Sequence, residues 1–348
     1  MREIVQREAV ETLLKYSYAT ADIAMRLGKT KIGLELSKNF KNILVSYPNK
    51  SIKKSWEDDS EKFGISLDNI IFTTHRSIGK HELKSYDCVI IDEIDQISEN
   101  QWTDIILDLP NKMYGLTGTP PNKGQKATNL YSYCPVVYSK KLEETTGITN
   151  KDYDIWVHKV RPSLQRDILL KSGKLWSEAA QIEFYDKTYL KTKSFNLMIK
   201  LIQSISRSKT KIQYVKKLAE KMKRGLIFVE TIEQCKELGY PAYHTKEKDS
   251  EKNLEDFKSG KIDKLVTINQ LKAGITFDDL YEVIILHAYS SNNRAQQRIG
   301  RALNLIEGDK KKAKIHVICL EDTRDEKWVK AGLEDFDTTK IHYFYGKN

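Results

Sequence analysis

No apolar run in the sequence approaches the roughly 20 residues that span a bilayer, and the mean hydropathy is −0.54. The opening Met1-Arg2-Glu3-Ile4 carries no apolar signal-peptide core. A soluble, unsecreted, cytoplasmic protein with no membrane partner is expected. Cysteine is sparse: Cys88, Cys134, Cys235 and Cys319 lie far apart, and none forms a Cys-x-x-Cys pair. That spacing offers neither a zinc site nor a redox dithiol, and buried free thiols in a reducing compartment are expected. No fixed-period repeat or low-complexity tract occurs. No His-Asn-His or Pro-Asp…Glu-x-Lys pattern occurs either, so a nuclease within this sequence is not expected.

What is present is a globular composition. The 348 residues are 40% hydrophobic, 30% charged and 9% aromatic, which excludes disordered, collagenous and coiled-coil classes and allows two ordinary domains. The net charge is +10, and it is unevenly spread. Residues 158–224 hold 17 Lys/Arg against 5 Asp/Glu, a surplus of +12 that leaves the remainder at −2. A surplus so concentrated fits a surface facing a polyanion, and equally a solvated helical face.

Two stretches alternate strand-like with helix-like segments. In the first, Asn42–Ser46, Asn69–Thr73, Cys88–Ile91 and Met113–Thr117 are short apolar runs. In the second, Gly225–Val229, Lys264–Thr267, Val283–Leu286 and Ile315–Cys319 repeat the pattern. Thr231-Ile232-Glu233-Gln234 reads as a capping-box helix start. Continuous apolar strands separated by helices predict parallel sheets covered on both faces. The basic stretch between them predicts helix, since Phe195, Leu197, Met198, Leu201, Ile202 and Ile205 recur at three-to-four spacing. The expected organisation is an α/β lobe over 1–140, a basic helical insert over 141–210 and a second α/β lobe over 211–348. Ligands of such sheets bind beyond the carboxyl ends of the strands.

The chemistry-bearing residues fall at those ends. Leu27-Gly28-Lys29-Thr30 opens a helix pattern and reads as a phosphate cradle. The glycine admits backbone N–H groups, Lys29 neutralises β/γ-phosphate charge, and the Thr30 hydroxyl ligates Mg²⁺. A full phosphate-loop pattern has a glycine five residues before Gly28, where Ile23 stands. Asp92 and Glu93 follow an apolar strand. There Asp92 would hold Mg²⁺, directly or through water, and Glu93 would polarise an attacking water. ATP and Mg²⁺ are the expected cofactors.

At these residues the chain resembles the superfamily 2 helicases and translocases. Asp92-Glu93-Ile94-Asp95 is similar to their DExD/H box. Leu116-Thr117-Gly118-Thr119-Pro120 resembles motif III in the form found in Swi/Snf-type DNA translocases. Tyr47-Pro48-Asn49-Lys50-Ser51, with Trp56 following, resembles the motif Ia region, and Phe72-Thr73-Thr74-His75-Arg76 stands where the next motif would lie. Ala273-Gly274-Ile275-Thr276 resembles motif V, and Gln296-Gln297-Arg298-Ile299-Gly300-Arg301-Ala302 resembles motif VI. The ordered set spans about residues 6–304.

The resemblance implies two RecA-like lobes and roles for further residues. Arg301, with Arg298 beside it, would reach the γ-phosphate across an interlobe cleft. Gln297, Gly274 and Thr276 would lie at the nucleotide, and Gln6 would read adenine. Thr117, Gly118 and Thr119 would relay between Asp95 and nucleic acid. Pro48, Lys50, Ser51, Thr74, Thr231 and Thr267 would meet a DNA backbone without reading its sequence. Trp176, Phe184 and Tyr185 of the insert would either stack on bases or pack into its own core.

The sequence departs from the pattern at Arg26, where a glycine is common in the phosphate loop, and at Thr276, where Asp or Asn is usual. At Asn304 a second motif VI arginine is usual. The implied function is an ATP-dependent DNA helicase or translocase acting on forked or duplex DNA in replication, recombination or repair. Proteins of those processes would be its partners, and the compact core suits a phage or mobile-element helicase. A motor subunit of a restriction or remodelling complex, and an ATP-dependent nucleic-acid clamp with little hydrolysis, are the alternatives.

Overall fold

A computed structural model describes residues 2–24, 27–49, 51–141, 144, 152–169, 173–268, 277, 279–287, 298–300, 311–334 and 336–346. The chain divides into two compact units, residues 1–150 with 272–275, and residues 151–271 with 276–348.

The first unit runs α1 (Arg2–Leu13), β1 (Tyr18–Ile23), α2 (Lys29–Ser37), β2 (Ile43–Tyr47), α3 (Ser51–Phe63) and β3 (Ile70–Thr74). It continues with β4 (Cys88–Asp92), α4 (Glu99–Leu107), β5 (Met113–Thr117), α5 (Gly124–Tyr133) and β6 (Val136–Lys140). Its sheet has the order β3-β2-β4-β5-β1-β6, with parallel pairing throughout the described strands. Alternate strand residues feed opposite faces, as the two-residue period of a strand requires. Ile43, Val45, Cys88 and Ile90 pack with Val5, Ala9, Ile32 and Trp56 of α1–α3. Leu44, Val89 and Ile91 pack with Trp102, Ile105 and Leu130 of α4 and α5. β2, β4 and β5 are therefore strands buried on both faces, whereas β3, at the sheet edge, leaves Ile71 exposed.

The second unit begins with β7 (Tyr153–Val160), β8 (Arg166–Leu169), β9 (Leu175–Ser177), α6 (Glu178–Thr192), α7 (Phe195–Ser206) and α8 (Lys209–Lys221). Then come β10 (Gly225–Val229), α9 (Ile232–Leu238), β11 (Ala242–Tyr243), α10 (Ser250–Lys258) and β12 (Lys264–Ile268). β13 (Glu282–Ile285), β14 (Ala313–Leu320), α11 (Arg324–Gly332) and β15 (Ile341–Tyr345) complete it. Its main sheet has the order β11-β12-β10-β13-β14-β7-β15. The Thr231–Gln234 capping box forms as read from sequence.

The stretch expected to be a helical insert is helical from Glu178 onward, with Leu201 and Ile205 buried on α7. Its described earlier part is strand. β7 pairs with β14 along eight residues, so this segment completes the second sheet, and β8–β9 form an antiparallel hairpin. Trp176 and Phe184 meet edge-to-face at 5.0 Å, and Tyr185 packs against the unit's core. All four cysteines are buried and unpaired. Among the described residues, no helix is long and apolar enough to cross a membrane.

Candidate functional site

The chemistry gathers at the carboxyl end of the first sheet. β1 leads through Ala24 to buried Leu27 and to Gly28, whose φ of +84° places it in the left-handed region before α2. A side chain at Gly28 would be strained there, and its Cβ would stand 2.5 Å from the Gln6 amide nitrogen. That nitrogen donates to the Leu27 carbonyl at 2.8 Å. Gln6 thus lies against Leu27 and Gly28. The first backbone N–H groups of α2 have no partner within the helix, which is the arrangement that receives phosphate.

Lys29 opens α2, and Thr30 follows it, half-buried. The Lys29 ammonium stands 3.3 Å from Glu93 Oε1. Gly118 makes room for it, because a Cβ there would lie 3.2 Å from Lys29 Nζ and 2.9 Å from the Ile23 carbonyl oxygen. β4 delivers buried Asp92, after which Glu93 takes a positive φ of 56°. For a non-glycine residue that conformation costs about 1–2 kcal/mol.

Asp95, on the turn after Glu93, accepts the Thr117 hydroxyl at 2.7 Å and the Thr119 hydroxyl at 3.4 Å. The Thr119 N–H donates to the Thr117 hydroxyl oxygen at 3.0 Å. The Asp95–Thr117–Thr119 relay expected from motif III is therefore a connected hydrogen-bond unit. Lys126 of α5 adds a donor to the Asp95 carbonyl at 3.1 Å.

Three carboxylates surround one ammonium here, and the imbalance shows at Asp92 and Asp95. Burial first, and Glu93 second, push Asp92 up to about 6. The same two causes push Asp95 up to about 6. Burial alone would pull the Lys29 ammonium down, but Glu93, Asp92 and Asp95 outweigh it and hold it above its ordinary value. Surplus buried negative charge beside an open helix N-terminus fits a divalent cation carried in on a polyphosphate. No group of three or more metal-ligating side chains occurs among the described residues. Magnesium needs none, since it is commonly held by one or two carboxylates, waters and the phosphates themselves.

Several contributors carried no assigned role in the sequence. The Trp56 indole N–H donates to Asp92 Oδ2 at 3.0 Å, and Trp56 is fully buried. His75, at the end of β3, meets Ser46 Oγ through Nδ1 at 2.7 Å. Burial lowers His75 to about 4, so it is neutral near pH 7. Both residues fall within quoted motifs, but their partners lie 29 and 36 positions away, which no local pattern reveals.

The expected nucleic-acid residues divide. Tyr47 pairs with Thr74 across β2 and β3, so Pro48 and the start of α3 at Ser51 leave the sheet at the same end as Thr74. Thr231 uses its hydroxyl oxygen to cap α9. Thr267 is fully buried, with its hydroxyl on the Tyr243 carbonyl at 3.2 Å. It braces β12 against β11 rather than facing a ligand.

Arg298, expected beside Arg301 at the γ-phosphate, is 2% exposed. It donates to the His287 carbonyl at 2.7 Å and to Glu230 Oε1 at 3.0 Å, so its guanidinium is committed within the second unit. His287 also faces Asp325 at 3.5 Å, and Asp325 is paired with fully buried Lys211. Gly274, Thr276, Gln297, Arg301 and Asn304 lie outside the described residues, as do Arg26 and Lys50.

The two parallel-sheet lobes match helicase RecA-like domains, and two family models support a superfamily 2 helicase core in this chain. Residues 9–122 match the family described as "Type III restriction enzyme, res subunit", and residues 210–305 match "Helicase conserved C-terminal domain". Two solved structures share the fold. The Hef helicase domain of Pyrococcus furiosus aligns with a TM-score of 0.53 at 14% identity, over 94% of this chain and 96% of that one. The ATP-dependent Type ISP restriction-modification enzyme LlaBIII bound to DNA aligns with a TM-score of 0.64 at 14% identity, over 99% of this chain. The match spans 31% of the LlaBIII chain. No curated protein matches the sequence.

Proposed function

We propose that this chain is a DNA-stimulated ATPase that moves along or unwinds DNA. The observation carrying the reading is the approach of Lys29 to Glu93 at 3.3 Å, beside the open N-terminus of α2. The cradle of Leu27, Gly28, Lys29 and Thr30 binds the ATP phosphates, and Gln6 backs the adenine side of the loop. Asp92 and Thr30 would hold magnesium, which would supply charge neutralisation to the phosphates. Glu93 orients the attacking water, and Lys29, released from Glu93, compensates charge on the phosphates.

Pro48, Lys50, Ser51 and Thr74 grip the DNA backbone, and the Asp95–Thr117–Thr119 relay ties that grip to the acidic pair. The positive surface of residues 158–224 adds sequence-independent affinity. Replication, recombination or repair is the setting we assign. The test is Lys29→Ala: DNA-stimulated hydrolysis is lost while DNA binding persists. Stimulated hydrolysis surviving in that variant would overturn the phosphate-cradle assignment.

A second reading is supported by the match of residues 9–122 to the res subunit family and by the likeness to LlaBIII. Here the chain is the motor of a restriction-type assembly, and its output depends on other domains or subunits. Strand separation by the isolated chain on forked duplexes favours the helicase. Hydrolysis stimulated by DNA without strand separation favours the assembly motor.

A further inference from the structure

Trp56 occupies a position that the nucleotide chemistry by itself does not explain. It lies on α3, the helix that begins at Ser51, shortly after Pro48 and Asn49 leave β2. Its indole is fully buried and crosses beneath α2 to the end of β4, where Nε1–H meets Asp92 Oδ2 at 3.0 Å. The passage exists because position 33 in α2 is glycine. A Cβ there would stand 2.3 Å from Trp56 Cη2 and 2.9 Å from Cζ2. Glycine within a helix costs about 1 kcal/mol relative to alanine, and here it admits the ring. Phe72 of β3 holds the other side edge-to-face at 6.0 Å. One rigid side chain therefore touches the phosphate helix and the acidic strand while rooted in the helix that follows the DNA-facing loop.

We infer that Trp56 is a positioning residue that carries the state of α3 to Asp92, so that DNA engaged at Pro48–Ser51 sets the aim of the magnesium-binding carboxylate. The inference rests on the ATPase-motor reading above. An indole has only two side-chain torsions, and a fully packed one moves with its helix. A displacement of α3 therefore reaches Asp92 as a change in the direction of its one indole donor. Phenylalanine at this position keeps an aromatic ring and removes both the N–H and the outer six-membered ring that Gly33 accommodates.

The test uses the full chain with Trp56→Phe, Gly33→Ala and the two combined. Three quantities are measured: DNA-saturated kcat, DNA affinity, and the rise in thermal midpoint that ADP gives with and without Mg²⁺. Loss of an outer hydrogen bond to a metal ligand costs about 10–100-fold in metal affinity or activity. Trp56→Phe is expected to lower DNA-stimulated kcat about tenfold or more and to shrink the Mg²⁺-dependent part of the ADP shift, with DNA affinity unchanged. Gly33→Ala pushes the ring from its seat, and it lowers both kcat and the thermal midpoint.

The double variant separates positioning from packing. The added methyl enters the space left by the shorter ring, so the thermal midpoint recovers while kcat and the Mg²⁺-dependent shift stay low. Recovery of kcat together with the midpoint would reduce Trp56 to packing and overturn the inference. So would Trp56→Phe with wild-type kcat and a wild-type Mg²⁺-dependent shift. Absence of DNA-stimulated hydrolysis in the wild type would instead count against the motor reading, and the thermal shifts would still judge the Trp56–Asp92 link.

Discussion

Replacing Asp95 with asparagine should stabilise the nucleotide-free protein, and only above the pH at which Asp95 ionises. Its carboxyl is pushed from 3.8 to about 6 by burial and by Glu93. Each pH unit between those values is worth about 1.4 kcal/mol, so ionising Asp95 in the folded state costs about 3 kcal/mol. Between about pH 4 and pH 6 the folded chain holds this proton while the unfolded chain has released it. Stability therefore falls as pH rises through that window and stays low above it.

Asparagine has no charge to bury, although it accepts the Thr117 hydroxyl less strongly than a carboxylate does. That weaker bond is already contained in the raised pKa of Asp95, so the expected net gain is about 3 kcal/mol at pH 7.5, and it falls to near zero by pH 4. Urea unfolding of wild type and Asp95→Asn at both pH values measures it, following the transition that ADP displaces. DNA-stimulated hydrolysis should fall in the same variant, because the relay to Thr117 and Thr119 loses its charge. A variant that is less stable at pH 7.5, or equally more stable at both pH values, would refute the reasoning.

The other expectations concern the second unit. Lys211→Met leaves Asp325 charged and fully buried, which should cost about 3–5 kcal/mol of folding stability in chemical denaturation. Lys211→Met combined with Asp325→Leu should recover most of that loss. Replacing Lys187, Lys191, Lys193 and Lys200 with glutamine should flatten the plot of log K for DNA against log salt by about 0.7–0.9 per lysine that contacts phosphate. An unchanged slope would return these side chains to an ordinary solvated face.

Strands β2 to β5 were legible because they are short apolar runs; Asp92-Glu93 announces itself where one of them stops, and Gly28-Lys29-Thr30 where a helix pattern opens. β1 was not legible. Tyr18-Ala19-Thr20-Ala21-Asp22-Ile23 is small and polar, yet it is a central strand. Thr20 is satisfied by the Cys134 carbonyl at 2.6 Å, and Asp22 accepts the Ser139 hydroxyl at 3.0 Å. Those partners lie more than a hundred positions away, and without them the residues read as loop. β7 was obscured by Asp154, His158 and Lys159 within a basic stretch. Its charges are met by later residues, including Glu326 on α11 at 2.9 Å from Lys159. Arg298 looked catalytic from its motif, and only the fold shows Glu230 and the His287 carbonyl closing around it.

The four native thiols bear on how this protein can be handled. Burial pushes Cys134 to about 11 and Cys235 to about 12, and it drives Cys88 and Cys319 higher still. Maleimide dyes react with thiolate, and near neutral pH these four side chains present almost none. A cysteine introduced in place of Leu107, 75% exposed, or of Phe195, 76% exposed, would react far ahead of the native four. The natural sequence therefore already serves as a quiet background for single-molecule fluorescence, one label on each unit, with no native cysteine to remove first.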